Sequence, residues 1–186
     1  MLPLSAFLAH LRSAPSAAPL ALLSIDPGLR RCGYALCLHA RQMPLPVVAG
    51  CGWVSSQGAG ESGALALHTG VAAALVAQHC VWGVVVGHPL DPQGGRAGRE
   101  CVFAEALARS LALGLGGAAR QPPCPVLLWD ERGSTAQARA GLRLARLQQR
   151  KGARPAQALP RNLGGRVDEA AATAILQSFL DAAQGL

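Results

Sequence analysis

The chain has 186 residues, of which 51% are hydrophobic. This length suits a single domain with a substantial core, and no apolar run reaches the roughly 18 residues that a membrane-spanning helix requires. The formal net charge is +7, from 17 basic and 10 acidic residues. Such a balance favours a polyanionic partner such as nucleic acid, although a solvated basic surface would produce the same charge.

Six cysteines are scattered along the chain without a C-x-x-C pair, and the five histidines do not cluster with them in the sequence. A structural zinc site normally requires paired spacings of such ligands, and so does the disulfide framework of a secreted protein. We therefore expect buried free thiols in a reducing compartment, with neither a structural zinc site nor disulfides.

The first 19 residues form an N-terminal extension with two interpretations. The first 25 residues contain no acid and include Arg12, Ser13 and Ser16, which is typical of an organellar targeting segment. The apolar spacing of the extension also fits an amphipathic helix that packs on the domain. The expected compartment is correspondingly an organelle (chloroplast or mitochondrion) or the bacterial cytoplasm. The residues that would form the apolar side of this helix are Leu4, Phe7, Leu8 and Leu11.

Residues 20–186 predict one α/β domain. Short alternating or apolar segments bounded by turn residues predict an antiparallel meander of three strands, followed by alternating helices and buried strands. This order, β-β-β-α-β-α-β-α-α, predicts a mixed sheet with helices packed on it. The strands are expected at 20–26, 33–39, 47–54, 82–87 and 125–129, and the helices at 63–79, 100–113, 137–149 and 167–180.

The apolar residues of each helix are expected to face the sheet, and the three tryptophans are expected in the core. The expected inward residues are Leu65, Leu67, Val71, Leu75 and Val76 in the first helix, Val102, Phe103, Ala106 and Leu107 in the second, and Ala171, Ala174, Ile175, Leu176 and Phe179 in the last. The tryptophans are Trp53, Trp82 and Trp129.

Acidic residues are few, and several stand at the ends of predicted elements. Asp26 ends the first strand, Asp130 and Glu131 follow the last strand, and Asp168 opens the last helix. Carboxylates at such positions can converge and hold two hard cations about 4 Å apart, an arrangement that cleaves phosphodiesters. Each acid taken singly has a simpler explanation as a turn residue, a surface ion pair or a helix cap.

Four segments in a fixed order resemble the signature blocks of one known family. The first begins at the first aspartate, the second begins within the predicted central strand, the third contains the acidic pair, and the fourth opens the last helix. They are residues 26–35 (DPGLRRCGYA), 85–90 (VVGHPL) followed by Gly94-Gly95, 130–138 (DERGSTAQA) and 167–177 (VDEAAATAILQ).

The family that these segments resemble is YqgF (RuvX). The resemblance implies a ribonuclease H-like fold, related to Holliday-junction resolvases of the RuvC type, and bacterial members are linked to maturation of the 5′ end of the 16S ribosomal RNA precursor. It implies Asp26, Asp130 and/or Glu131, and Asp168 as catalytic ligands of Mg²⁺ or Mn²⁺, with two ions expected. Adjacent strand residues point to opposite faces, so one of Asp130 and Glu131 is expected to reach the metals.

The predicted function is therefore that of a nuclease acting on ribosomal RNA precursor, as a monomer or weak homodimer. A resolvase of branched DNA and a non-catalytic nucleic-acid-binding protein are the alternatives. Basic residues near the four segments are candidates for phosphate contact, with backbone or shape recognition favoured over base stacking because aromatic residues are few. The predicted substrate-binding residues are Arg30, Arg31, Arg96, Arg99, Arg132, Thr135, Arg139 and Arg166.

Overall fold

The computed structural model of the chain describes residues 1–15, 20–39, 47–90, 98–116, 124–131 and 163–183, with the side chains of 39, 47 and 163–166 left out. The helix predicted at 137–149 lies outside these ranges. The strands are β1 (Leu20–Asp26), β2 (Arg31–His39), β3 (Val47–Ser55), β4 (Gly83–His88) and β5 (Val126–Asp130). The helices are α1 (Leu4–Arg12), α2 (Gly60–Gln78), α3 (Arg99–Leu115) and α4 (Leu163–Ala182).

The five strands form one mixed sheet in the order β3-β2-β1-β4-β5. β1, β2 and β3 are antiparallel neighbours, whereas β1 pairs in parallel with β4, and β4 with β5. The predicted meander and mixed sheet are confirmed. Since β1, β4 and β5 run in the same direction, their carboxyl ends meet at one edge of the sheet, where loops and side chains can form a site.

Two hydrophobic cores cover the two faces of the sheet. Successive residues of β1 point to opposite faces, so Leu23 belongs to the core beneath α2 and α3, and Leu22 to the core beneath α1 and α4. Helices therefore pack on both faces of the sheet. Within the described part of the chain, no helix is both long enough and apolar enough to cross a membrane.

Helix α1 is part of the second core. Phe7 is fully buried and Leu11 nearly so, and the ring of Phe7 meets that of Phe179 edge to face with centroids 5.6 Å apart. A Cβ at Gly83 would lie 2.7 Å from Cζ of Phe7, so this glycine lets the helix approach the start of β4. The N-terminal extension thus contains a packed helix, and organellar targeting by the same segment stays a prediction.

The predicted inward orientation was wrong for several helix residues. Val102 is 52% exposed and Leu67 is 38% exposed. The α2 residues that are buried recur every four positions, and two of them are alanines, because α2 is apolar over most of its circumference and this stripe faces α3, where the ring of His68 meets that of Phe103. Ala106 and Ala174 are partly buried. The residues that α2 buries are Ala64, His68, Ala72 and Val76.

The tryptophans lie at the margins of the core. All three are partly buried, which differs from the expected core positions. Trp129 stacks edge to face on Phe179 at 5.5 Å, and its indole N–H donates to the hydroxyl of Ser178 at 3.2 Å. A polar indole nitrogen favours such a boundary, where one end of the ring is apolar and the other can find a hydrogen-bond partner.

No cysteine takes part in a disulfide, as expected from their scattered spacing. Four of the six are buried, and Cys51 and Cys80 are exposed, so burial of the thiols is confirmed for the majority only.

Candidate functional site

Asp26 ends β1 at the sheet edge where the carboxyl ends of the parallel strands meet. Its side chain is largely buried, and burial raises its pKa from an ordinary value near 3.8 to about 7, with repulsion from Asp168 and then from Glu100 adding to the shift. The charged form of such a buried carboxyl is unfavourable in the folded protein unless a proton or a cation neutralises it. The strand end therefore carries an aspartate that other acids surround.

Glu131 follows the last residue of β5 and is only 9% exposed. Its backbone N–H donates to the carbonyl of His88 at 3.3 Å, which continues the β4–β5 pairing by one residue. Burial, and then repulsion from Asp26, Glu100 and Asp130, raises the pKa of the Glu131 carboxyl to about 8. Its Oε2 atom is buried and has no hydrogen-bond partner among the described residues.

The neighbouring Asp130 has a different environment. Its side chain is exposed, whereas that of Glu131 is buried. Adjacent residues at a strand end point to opposite sides, and here the glutamate turns toward Asp26 while the aspartate turns toward solvent. Repulsion from Asp130 raises the pKa of Glu131 less than repulsion from Asp26 or from Glu100 does.

Asp168 reaches the site from α4. A Cβ at Gly33 would overlap the backbone carbonyl of Asp168, so the glycine lets α4 cross β2 at close range and brings the aspartate beside β1. The Nε atom of Arg31 lies 3.1 Å from Oδ2 of Asp168. Three of the predicted acids, Asp26, Glu131 and Asp168, therefore come from three separate segments to one place.

Glu100 is a fourth acid near this place, and the sequence reasoning missed it. It lies exposed in the first turn of α3, and its charge raises the pKa of both Asp26 and Glu131. The residue follows the Gly-rich 91–98 segment at the start of a helix, where an acid is ordinary. Nothing in its spacing distinguished it from a helix-start residue.

A family model described as RuvX, Holliday junction resolvase, matches residues 20–182 of the chain. The chain belongs to the RuvX family. Candidate pre-16S rRNA nucleases from Thermobifida fusca (strain YX) and Syntrophus aciditrophicus (strain SB) are similar to it. The first is 36% identical over 167 residues, covering 86% of each chain. The second is 32% identical over 163 residues, covering 87% of this chain and 88% of the relative.

The fold resembles that of RuvC from Thermus thermophilus, solved in complex with Holliday junction substrate. The TM-score is 0.54 at 13% identity, with 89% of this chain and 96% of RuvC covered. The ribonuclease H-like fold predicted from the sequence is confirmed. Membership in the RuvX family also makes the protein a nuclease, a phosphodiester hydrolase with nucleic acid as its substrate class.

Three of the predicted phosphate-binding arginines of this RuvX-family protein are described. Arg31 contacts Asp168, and Arg99 contacts Glu61 at 2.9 Å. Arg30 is exposed and lines an open groove of about 410 Å³ that Arg99 also lines. The groove lies beside the turn that follows Asp26. The remaining predicted substrate contacts, at Arg96, Arg132, Thr135, Arg139 and Arg166, fall on residues or side chains outside the description.

The turn between β1 and β2 is held in place beside this groove. The Ser56 hydroxyl donates to the carbonyl of Leu29 at 2.9 Å, and its backbone N–H donates to the carbonyl of Arg30 at 3.0 Å. A Cβ at Gly28 would overlap the carbonyl of Arg31, which explains a glycine in so tight a turn. These contacts fix the backbone of Arg30 and Arg31 next to Asp26.

The acidic residues of the RuvX-family site fit a hard divalent cation. The buried Oε2 of Glu131 is an acceptor in need of a positive partner, and burial followed by repulsion from Asp168 raises the pKa of Asp26. A cation would relieve both, and carboxylate oxygens are the donors that Mg²⁺ and Mn²⁺ prefer.

A second group of possible metal ligands was not expected. His88, Cys101 and Glu105 place one donor atom each within 4.8 Å of the other two. Sequence spacing did not reveal this group, because the topology brings the end of β4 against α3 across residues that are distant in sequence.

Proposed function

We propose that this protein is a metal-dependent nuclease whose catalytic carboxylates are Asp26, Glu131 and Asp168, and that it processes the 5′ end of the small-subunit ribosomal RNA precursor. The observation that carries the proposal is the convergence of the three acids. Burial and mutual repulsion at Asp26 and Glu131 cost folding free energy, and a protein tolerates such a cost mainly where the groups have a function. The exposed Asp130 is then an outer residue of the site.

Asp26, Glu131 and Asp168 would hold Mg²⁺ or Mn²⁺, with two ions expected. Bound cations would activate a water molecule and stabilise the leaving oxygen of the phosphodiester. Arg31 neutralises Asp168 and lies at the rim of the site, half exposed, where a substrate phosphate would compete for its guanidinium. Arg30 and the groove beside it would contact the nucleic-acid backbone without reading its sequence.

Ribosomal RNA precursor is the favoured substrate because the relatives that cover most of this chain carry that activity in their names. Resolution of branched DNA is the second candidate, and the description of the matching family favours it. That activity needs two sites acting on two strands, and so a stable dimer, whereas a monomer or weak homodimer suffices for RNA processing. The bacterial cytoplasm or an organelle is the proposed compartment.

Cleavage assays on two substrates test these proposals. A ribosomal precursor leader and a four-way DNA junction would be incubated with the protein and Mg²⁺ or Mn²⁺. We expect metal-dependent cleavage of the RNA, loss of cleavage in Asp26→Asn, and full activity in Asp181→Asn, which removes an exposed acid elsewhere on α4. Preferential cleavage of the junction would favour the resolvase. Binding without cleavage of either substrate at any metal concentration would contradict an enzyme and favour a non-catalytic binding protein.

A further inference from the structure

We propose that His88, Cys101 and Glu105 form a binding site for one zinc ion, separate from the carboxylate site of the nuclease. Nε2 of His88 lies 2.8 Å from Sγ of Cys101 and 3.4 Å from Oε1 of Glu105. All three donor atoms lie within 4.8 Å of one another. An imidazole, a thiol and a carboxylate at this range are the ligand types that zinc takes in proteins.

The fold presents the three ligands from two rigid elements. His88 is the last residue of β4, and Cys101 and Glu105 are four residues apart on α3. Residues with this spacing lie on the same face of a helix, one turn apart, so both can face the strand end. Cys101 is only 2% exposed, and the other two residues are partly buried.

The distances are close to those of a zinc site. Tetrahedral coordination with Zn–N near 2.1 Å, Zn–O near 2.0 Å and Zn–S near 2.3 Å separates neighbouring donors by about 3.3–3.6 Å. The histidine–carboxylate distance of 3.4 Å already matches. The histidine–thiol distance of 2.8 Å is shorter than a zinc site requires, so it would open by roughly 0.8 Å on binding of the ion.

Arg109 orients the glutamate for this role. Its Nη2 donates to Oε2 of Glu105 at 2.9 Å, which leaves Oε1 as the oxygen that faces His88. A hydrogen bond to the second oxygen of a ligating carboxylate holds its direction and reduces the entropy lost on binding a metal. The partly exposed position of Glu105 leaves the fourth coordination position for a water molecule.

The ligands of the two sites differ in chemistry, so the two sites favour different ions. Thiolate and imidazole ligands favour zinc and related transition metals over Mg²⁺, whereas an all-carboxylate site favours Mg²⁺ or Mn²⁺. The two sites are also adjacent, since the backbone carbonyl of His88 accepts the N–H of Glu131. Zinc at His88 would therefore link α3 to the strand end that carries Glu131.

Cobalt absorption spectroscopy tests the proposal on the full chain. Co²⁺ replaces zinc and gives an intense near-ultraviolet charge-transfer band only when a thiolate binds it. With excess Mg²⁺ present to occupy the carboxylates, we expect the band to saturate at one equivalent of Co²⁺ and to disappear when Zn²⁺ is added. Cys101→Ser should abolish the band, and Cys80→Ser, which alters an exposed thiol, should leave it unchanged.

Two further variants keep the test decisive. Glu105→Gln keeps the shape of the side chain and should weaken zinc binding at least tenfold in competition titrations, with circular dichroism confirming that the variant is folded. Asp26→Asn should leave the cobalt band unchanged even if it abolishes cleavage. The zinc-site proposal and the nuclease proposal are therefore tested independently of each other. Absence of a band at one equivalent, or a band that survives Cys101→Ser, would overturn the proposal.

Discussion

Gly87 provides the space that the carboxylate of Glu131 occupies. A Cβ at position 87 would overlap Oε2 of Glu131 and would lie 2.9 Å from its Cδ and 2.7 Å from Cδ1 of Ile175. The glycine sits near the end of β4, where a side chain would normally project toward α4. The absence of a side chain at Gly87 allows the buried carboxylate of Glu131 to lie at the sheet edge beside Asp26.

Gly87→Ala is therefore expected to displace Glu131 and to reduce nuclease activity at least tenfold. Overpacking against Ile175 should also lower the free energy of unfolding by about 1–3 kcal/mol. Cleavage rates and denaturant unfolding would measure the two effects. The control is Gly70→Ala on α2, where a Cβ meets nothing within 4 Å and stability should be unchanged or slightly higher. Wild-type activity in Gly87→Ala would argue against Glu131 as a catalytic group.

Glu131→Gln and Asp130→Asn should differ sharply in cleavage. Glu131 is buried among the other acids, and loss of its charge should reduce the cleavage rate by about 100-fold or more, the scale of losing one charge-stabilising group. Asp130 is exposed, so its variant should keep activity within a few-fold of the wild type. Single-turnover cleavage with saturating Mg²⁺ measures both. The reverse order of effects would reassign the site to Asp130.

The metal-free protein should lose stability as the pH rises. The pKa values of Asp26 and Glu131 in the folded protein, about 7 and about 8, exceed the ordinary values of 3.8 and 4.5 that hold in the unfolded chain. Each group thus favours folding most below about pH 4, and its contribution is lost as the pH rises toward the folded pKa, at about 1.4 kcal/mol per unit.

Asp26→Asn isolates this effect. In the absence of metal, the variant should melt at a higher temperature than the wild type at pH 8, and the difference should shrink toward pH 5. Added Mg²⁺ should stabilise the wild type at pH 8 and leave the variant nearly unaffected. Thermal melts at several pH values, with and without Mg²⁺, provide the measurement. A wild type that is equally stable at pH 5 and pH 8, with no gain in the variant, would contradict the proposed environment of Asp26.

Arg30→Ala should weaken nucleic-acid binding by a similar factor for all sequences. The exposed guanidinium lies in the groove beside the acidic site, where it can contact one phosphate. Loss of one such contact should reduce the slope of log K against log salt by about 1. The control is Arg12→Ala, because α1 packs against Gly83 at the opposite end of β4. Equal losses in the two variants would indicate only a general charge effect.

Phe7→Ala should destabilise the domain by about 3–5 kcal/mol, because it removes a fully buried ring from the core beneath α1 and α4. Leu4→Ala, on the same helix, removes a side chain that is 38% exposed and should cost much less. Urea unfolding measures both. A loss below about 1 kcal/mol in Phe7→Ala would mean that the N-terminal helix contributes little to the folded domain.

The strands were predictable from local patterns. The alternating and continuous apolar segments, bounded by glycine and proline, predicted every strand within two residues of its observed ends. Helix faces were harder, because α2 is apolar on most sides and periodicity does not select one of them. Leu67 on α2 was placed inward for this reason, although only the packing of neighbouring elements determines which stripe of a helix is covered. The same packing leaves the apolar Val102 of α3 exposed.

The sequence by itself determined the order of the elements, the family and the acids at the strand and helix ends, because these depend on local pattern and on motifs along the chain. Only the tertiary structure distinguished Glu131 from Asp130, since burial depends on Gly87 and on a helix that returns from residue 163 onward. It also brought Glu100 to the acids and His88 to Cys101 and Glu105. Such contacts depend on how the parallel strands align at one edge of the sheet. The spacing of residues within a single segment cannot predict them.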